Sequence, residues 1–125
     1  MKQDRFSLKD RFESFKFAVN GLCSLFENEH NSRIHLLAAI IAIAMGIILK
    51  INNIEWSLLV IVIGVVFLSE LLNSSLESLA DIINPEWNEN IRKAKDYAAA
   101  AVLISAIISV IVGGIIFIPK ILNFI

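Results

Sequence analysis

A single cysteine, Cys23, leaves the chain without the means for an intramolecular disulfide, and its GLCSLF surroundings read as a small apolar contact on a helix. Neither charge is in excess: Lys and Arg number 11 against 12 Asp and Glu, a formal net charge of -1 that carries no message about nucleic acid or an acidic partner. No G-x-x-x-x-G-K-[ST] loop occurs, nor a protein-kinase Gly-rich loop, nor H-R-D and D-F-G sequences, so any nucleotide site belongs to none of these common kinds. The N-terminal segment up to His30 is charged and has no continuous apolar core, which argues against a cleavable signal peptide there. What the chain has in abundance is apolar sequence. Apolar residues make up 57% of its 125 residues and the mean hydropathy is +0.72, too little polar sequence for a soluble globule of this size. Residues 1–125 are therefore expected to form one small integral-membrane domain.

Three apolar segments predict an all-α architecture with spans at about 32–50, 56–83 and 96–118. The first is short unless flanking residues such as Trp56 anchor it, and the second is longer than a bilayer requires, so its far half emerges or is sheltered by other helices. The third begins with small residues suited to close packing. Ahead of them, over about 6–28, Phe12, Phe15, Val19, Leu22 and Phe26 recur at spacings of three and four, which predicts an amphipathic helix in the membrane interface. Lys2, Arg5, Lys9, Arg11, Lys16 and Arg33 precede the first span, and Arg92, Lys93 and Lys95 precede the third. The 50–56 turn holds only Lys50 and the tail only Lys120. This asymmetry places the N-terminus and the 84–96 loop on the cytoplasmic side.

The second segment carries the anomaly. Glu70, Asn73, Ser74, Glu77 and Asp81 fall on one face of a helix at about 100° per residue. An ionisable group inside an apolar span costs roughly 2.5–3.5 kcal/mol on the lenient insertion scale and marks a functional site by default. Counting inward from Trp56 at 1.5 Å per residue puts Glu70 roughly 20 Å down and Glu77 roughly 30 Å, at the cytoplasmic leaflet. Glu29 precedes the first span, and Lys95 and Asp96 open the third, at the same level. That inventory suits phosphoryl transfer: two carboxylates can hold Mg²⁺, a lysine can neutralise phosphate, and another carboxylate can take a hydroxyl proton. The competing expectation is a small oligomeric proton- or cation-conducting protein. Against it, the third span offers only Ser105 and Ser109, and the first, beyond His35, nothing polar before Lys50. His30 and His35 are spaced poorly for one helical face and read as surface or headgroup contacts rather than zinc ligands.

The run from Glu70 through Asn73 and Glu77 to Asp81, followed by Ala94-Lys95-Asp96 and Ala100-Ala101-Val102, resembles the bacterial membrane diacylglycerol kinase family, which includes the undecaprenol kinases. The resemblance covers nearly the whole chain, from Gly21 and the Asn28-Glu29 and Arg33 segment through the three spans. It implies a homotrimer of three-span subunits in the bacterial cytoplasmic (inner) membrane, with active sites shared between neighbours. It further implies an ATP- and Mg²⁺-dependent lipid kinase acting on diacylglycerol or undecaprenol. Carried over residue by residue, it makes Glu70 the base and Glu29 and Glu77 the metal carboxylates. Phe17, Glu29, Glu77, Glu86, Trp87, Asn88, Lys95 and Asp96 become ATP contacts, and Arg33, His35, Glu70, Asn73 and Ala99 lipid contacts. The chain departs from the pattern at Asp10, where an arginine is expected with Arg11 one residue on, and at Phe17, where a tyrosine is common. The Arg33-Ile34-His35 segment looks more like the Gram-positive undecaprenol-kinase branch.

Overall fold

Helix starts are where this sequence is most explicit, because a short polar side chain must stand in for the missing preceding turn. Ser7 accepts from the Asp10 amide at 3.4 Å. Asn52 and Glu55 form a reciprocal capping box, with the Glu55 amide donating to Asn52 Oδ1 at 2.9 Å and the Asn52 amide to Glu55 Oε1 at 3.1 Å. Asn88 accepts from the amides of Asn90 and Ile91 at 3.0 and 3.3 Å. The computed structural model describes residues 5–83 and 88–125, and these caps open three of its helices: α1 (Leu8–Asn28), α3 (Asn53–Ile82) and α4 (Glu89–Phe124). The fourth, α2 (His30–Ile48), starts differently. Glu29 ends α1 and begins α2 with extended dihedrals (φ -106°, ψ 111°), and its side chain caps nothing.

Three of the four helices, α2, α3 and α4, are long and apolar enough to cross a membrane, which makes this a multi-pass membrane protein. Their bounds differ from the spans expected. Helix α2 stops at Ile48 rather than near 50, because the chain must already turn there, and the capping box starts α3 at Asn53 rather than 56. The Asn88 cap starts α4 at Glu89 rather than 96, and α4 runs through Pro119 to Phe124 instead of ending at 118. A membrane helix tolerates the missing proline N–H because neighbouring groups re-satisfy the backbone. Helix α1 packs only by its last turns. Leu25 is buried and the Phe26 ring meets Phe67 edge to face at 5.6 Å, whereas Phe12, Phe15 and Phe17 are bare.

The α2–α3 turn closes tightly. The Ile51 amide donates to Gly46 O at 3.1 Å and the Lys50 amide to Ile47 O at 3.4 Å, the paired bonds of a Schellman motif, with Lys50 left-handed at φ 53°. Only glycine adopts that conformation freely; other residues lose roughly 1–2 kcal/mol there. We expect Lys50→Gly to stabilise the protein by about 1 kcal/mol, read as a higher unfolding midpoint in detergent. A lower midpoint would show that the Lys50 side chain makes up more than its backbone loses.

Beside this turn sits the apolar core: Ile51, Leu59, Ile116 and Phe117, flanked by Met45, Trp56 and Val112. Gly46 allows it, since a Cβ there would lie 2.8 Å from Trp56 Cη2 and 3.0 Å from Ile51 Cδ1. The buried positions of α2 are Ser32, Ala39 and Gly46, all small and seven residues apart, which is what close approach to a neighbouring helix requires. An ion pair between Lys120 Nζ and Glu55 Oε1, 3.2 Å apart, fastens the end of α4 to the start of α3. The turn end thus holds the apolar core, with the ion pair and the Asn52 cap beside it. The polar stripe of α3 runs toward the other end, where α3 finishes and α4 begins.

Candidate active site

The buried positions of α3 run Leu59, Val62, Val66 and then Glu70, at the three- and four-residue spacing of an inward helical face. A carboxylate therefore stands in a core register, 3% exposed, and it is the only charged residue buried among the described residues. Opposite it stands His35 of α2, with Nε2 at 3.2 Å from Glu70 Oε1 and side-chain exposures of 25% for the histidine and 4% for the glutamate. The separation is that of an ion pair, and among the described residues no hydrogen bond to Glu70 Oε1 is formed. Buried polar atoms normally find partners. Among the described residues Glu70 Oε1, Asn73 Oδ1, Ser74 Oγ and Ser32 Oγ have no hydrogen-bond partner, and three of the four belong to the polar stripe of α3.

The neighbouring groups are fixed from three directions. Ser69 and Ser105 share a 2.6 Å hydrogen bond that ties α3 to α4 one residue from Glu70. Farther along α3, Asn73 Nδ2 donates to Glu77 Oε1 at 3.5 Å. Nearer its end, Asp81 Oδ1 lies 3.6 Å from Lys95 Nζ of α4. Arg33 spends its guanidinium locally, donating through Nε to Phe26 O at 2.6 Å and through Nη2 to Glu27 O. Those carbonyls are left over at the end of α1, so Arg33 caps α1 and stiffens the corner that carries Glu29. The resemblance casts it as a lipid contact; in the structure its bonds are to backbone.

Two cavities flank this cluster. An apolar one of about 370 Å³ runs between α2, α3 and α4 from His35 past Ala39 and Val66 to Phe117. A polar one of about 470 Å³ lies between the end of α1 and α3, lined by Ser24, Asn28, Glu29, Ser74 and Ser78 among others. Glu29 and Ser74 therefore share a cleft.

The structure joins some of the expected site residues and not others. Glu70 meets His35, and Asn73 meets Glu77. No hydrogen bond or ion pair links Glu29 to Glu77 or Lys95 among the described residues, and no group of three His, Cys, Asp or Glu is gathered there. Phe17, Asp96 and Ala99 are exposed on α1 and α4, and Asn88 uses its side chain to cap α4. Glu86 and Trp87 lie outside the described residues. The pairings His35–Glu70 and Asp81–Lys95 were missed from sequence. One signal was present: His35 lies about 20 Å back from the end of α2 and Glu70 about 25 Å into α3, comparable depths measured from the shared turn.

Fold and site together define a small multi-pass membrane protein with an ionisable cluster confined to one end of its helices. Residues 16–117 match the family described as prokaryotic diacylglycerol kinase. The chain is similar to an undecaprenol kinase of Bacillus subtilis, 36% identical over 119 residues, covering 95% of this chain and 97% of the relative. It is similar to a diacylglycerol kinase of a Synechocystis species, 36% identical over 111 residues, covering 88% of this chain and 63% of that one. A diacylglycerol kinase of Escherichia coli is 34% identical over 95 residues, covering 76% of this chain and 78% of its own length. The chain belongs to the prokaryotic diacylglycerol kinase family.

Proposed function

We propose that this protein is an integral-membrane lipid kinase that moves the γ-phosphate of ATP to the hydroxyl of a membrane lipid alcohol, diacylglycerol or undecaprenol. The observation that carries the reading is Glu70: a buried carboxylate in a core register, with an oxygen that accepts no hydrogen bond among the described residues, in a chain of this family. Such an oxygen is suited to accept the proton of a lipid hydroxyl as that oxygen attacks phosphorus. Asn73 lies one turn along α3 from it and, with His35, Ala99 and the corner held by Arg33, makes up the lipid side. Lys95 neutralises transferring phosphate, and Asp96, Phe17, Asn88, Glu86 and Trp87 approach the nucleotide. The ion-pathway alternative finds little support, because the turn end is filled by Ile51, Leu59, Ile116 and Phe117.

Glu29 and Glu77 offer hard oxygen donors of the kind Mg²⁺ takes, and this ion needs only one or two carboxylates because phosphates and water complete its shell. When bound by them, Mg²⁺ supplies charge neutralisation at the phosphates. That no hydrogen bond or ion pair links Glu29 to Glu77 among the described residues fits the homotrimer with sites completed between neighbours that the resemblance implies. The excess of Lys and Arg before α2 and before α4 favours a cytoplasmic N-terminus in the bacterial inner membrane, with the site at the cytoplasmic leaflet.

The test is transfer of labelled phosphate from Mg-ATP by the purified protein in mixed micelles, with diacylglycerol and undecaprenol offered separately. Product on one lipid names the acceptor; no product on either sinks the kinase reading. Glu77→Gln should raise the Mg²⁺ concentration needed for half-maximal rate by about tenfold, the loss typical of weakening a metal's surroundings. An unchanged metal titration would remove Glu77 from the metal site.

A further inference from the structure

We infer that His35 is the positioning and proton-accepting partner of Glu70, taking from the buried carboxylate the proton that each turnover delivers to it. The inference rests on Glu70 acting as the base. Its chemistry balances simply. The lipid oxygen forms a bond to the γ-phosphorus while the bond from that phosphorus to the β-bridging oxygen breaks, its electron pair leaving on ADP. The hydroxyl proton passes to Glu70, then to His35, then to water, so one proton is released per lipid phosphorylated.

Glu70 cannot discharge that proton alone. Its side chain is 4% exposed, and a buried acid left protonated is no longer a base. Among the described residues the single titratable group in ion-pair contact with it is His35, whose Nε2 lies 3.2 Å from Oε1 and whose side chain is 25% exposed. The imidazole therefore bridges a dry carboxylate and the outside. Histidine is also the side chain whose ordinary titration falls between about pH 5 and 8, where a proton can be both taken and given up.

A histidine that only filled the core would be buried with its partner, whereas His35 keeps 25% of its side chain exposed beside a carboxylate at 4%. His35 also lines the apolar cavity of about 370 Å³ between α2, α3 and α4, and it is the only titratable residue to do so. Other lining residues, such as Ala38, Met45, Val66 and Phe117, offer a lipid tail nothing but hydrocarbon surface. The titratable end of that cavity is His35, which meets Glu70 on its other side.

The other groups on the packed helices do not duplicate the contact. Helix α4 presents the uncharged Ser105 beside Ser69, and α1 meets α3 through Phe26 and Phe67. The remaining titratable groups of this end are Glu27, Glu29, His30 and Arg33 around the α1–α2 corner, Glu77 and Asp81 on α3, and Glu89, Arg92, Lys93, Lys95, Asp96 and Tyr97 on α4. Among the described residues none of them forms an ion pair with His35 or Glu70, and Lys95 is paired with Asp81.

The test is the pH dependence of kcat for the wild-type protein, His35→Gln, His35→Ala and Glu70→Gln, each first checked for the wild-type oligomer by size. Protonated His35 cannot accept, so the wild-type rate should show an acid limb that depends on this side chain. His35→Gln, close in shape, should lower kcat at pH 8 by roughly 10- to 100-fold, below the full effect of losing a base. It should also lose the acid limb and keep the KM for ATP. Added imidazole should restore part of the rate of His35→Ala. The inference is overturned by a His35→Gln that keeps the acid limb with near wild-type kcat, or by a folded His35→Ala that imidazole does not move. A Glu70→Gln that turns over normally would instead overturn the underlying assignment of the base.

Discussion

Replacing Glu70 with glutamine should leave a folded, ATP-binding protein that no longer phosphorylates lipid. Removal of a positioned general base costs about 10²- to 10⁴-fold, and the amide is nearly the same size as the carboxylate, so the core register of Leu59, Val62 and Val66 is preserved. The substitution also removes a charge from a buried position, 3% exposed and in partial contact with His35. Burying a charge is expensive when it is imperfectly paired. Thermal stability should therefore hold or rise while kcat collapses, and that combination separates a functional carboxylate from a structural one. The measurement is kcat in mixed micelles beside a melting curve of the same preparation. Turnover within tenfold of wild type would remove Glu70 from the role of base; parallel loss of activity and stability would make it a structural group.

The second large effect is expected at Lys95. Its only ion pair among the described residues is with Asp81 at 3.6 Å, and the side chains are 33% and 70% exposed. An ion pair this open contributes about 0–1 kcal/mol. If Lys95 served only to hold α4 against α3, Lys95→Met and Asp81→Asn would behave alike and mildly. As a phosphate-binding lysine it loses much more than its neighbour does. We expect Lys95→Met to lower kcat/KM for ATP by roughly 100-fold or more, about 2.7 kcal/mol of lost transition-state stabilisation. Asp81→Asn should stay within a few-fold of wild type. Equal effects in the two variants would return Lys95 to a structural role.

Much of the helical order was legible because helices announce themselves locally. The spacing of Phe12, Phe15, Val19 and Leu22 marks α1, whereas the capping pair Asn52 and Glu55, which starts α3, went unread. The stripe through Glu70, Asn73 and Glu77 stood out because its residue types are costly where they stand. What periodicity cannot report is how one helix is rotated against another. It assigns Glu70 to a face of α3 without revealing that His35, on a helix closer in sequence to α1, is what that face meets. The same gap explains Arg33, which the resemblance makes a lipid contact and whose bonds in the structure go to Phe26 O and Glu27 O. Helix α4 runs on through Pro119 to Phe124, past the membrane span expected to about 118, because a helix need not stop where hydrocarbon does.

The ion pair between Glu55 and Lys120 carries a consequence for how the chain is made. Glu55 takes its place as soon as α3 caps itself, whereas Lys120 reaches it only after the last helix has been threaded through the bilayer. Of the ion pairs among the described residues, this is the one whose second partner is synthesised last. A nascent chain cut before Lys120 would carry the whole polar end and still lack the tie between the end of α4 and the start of α3.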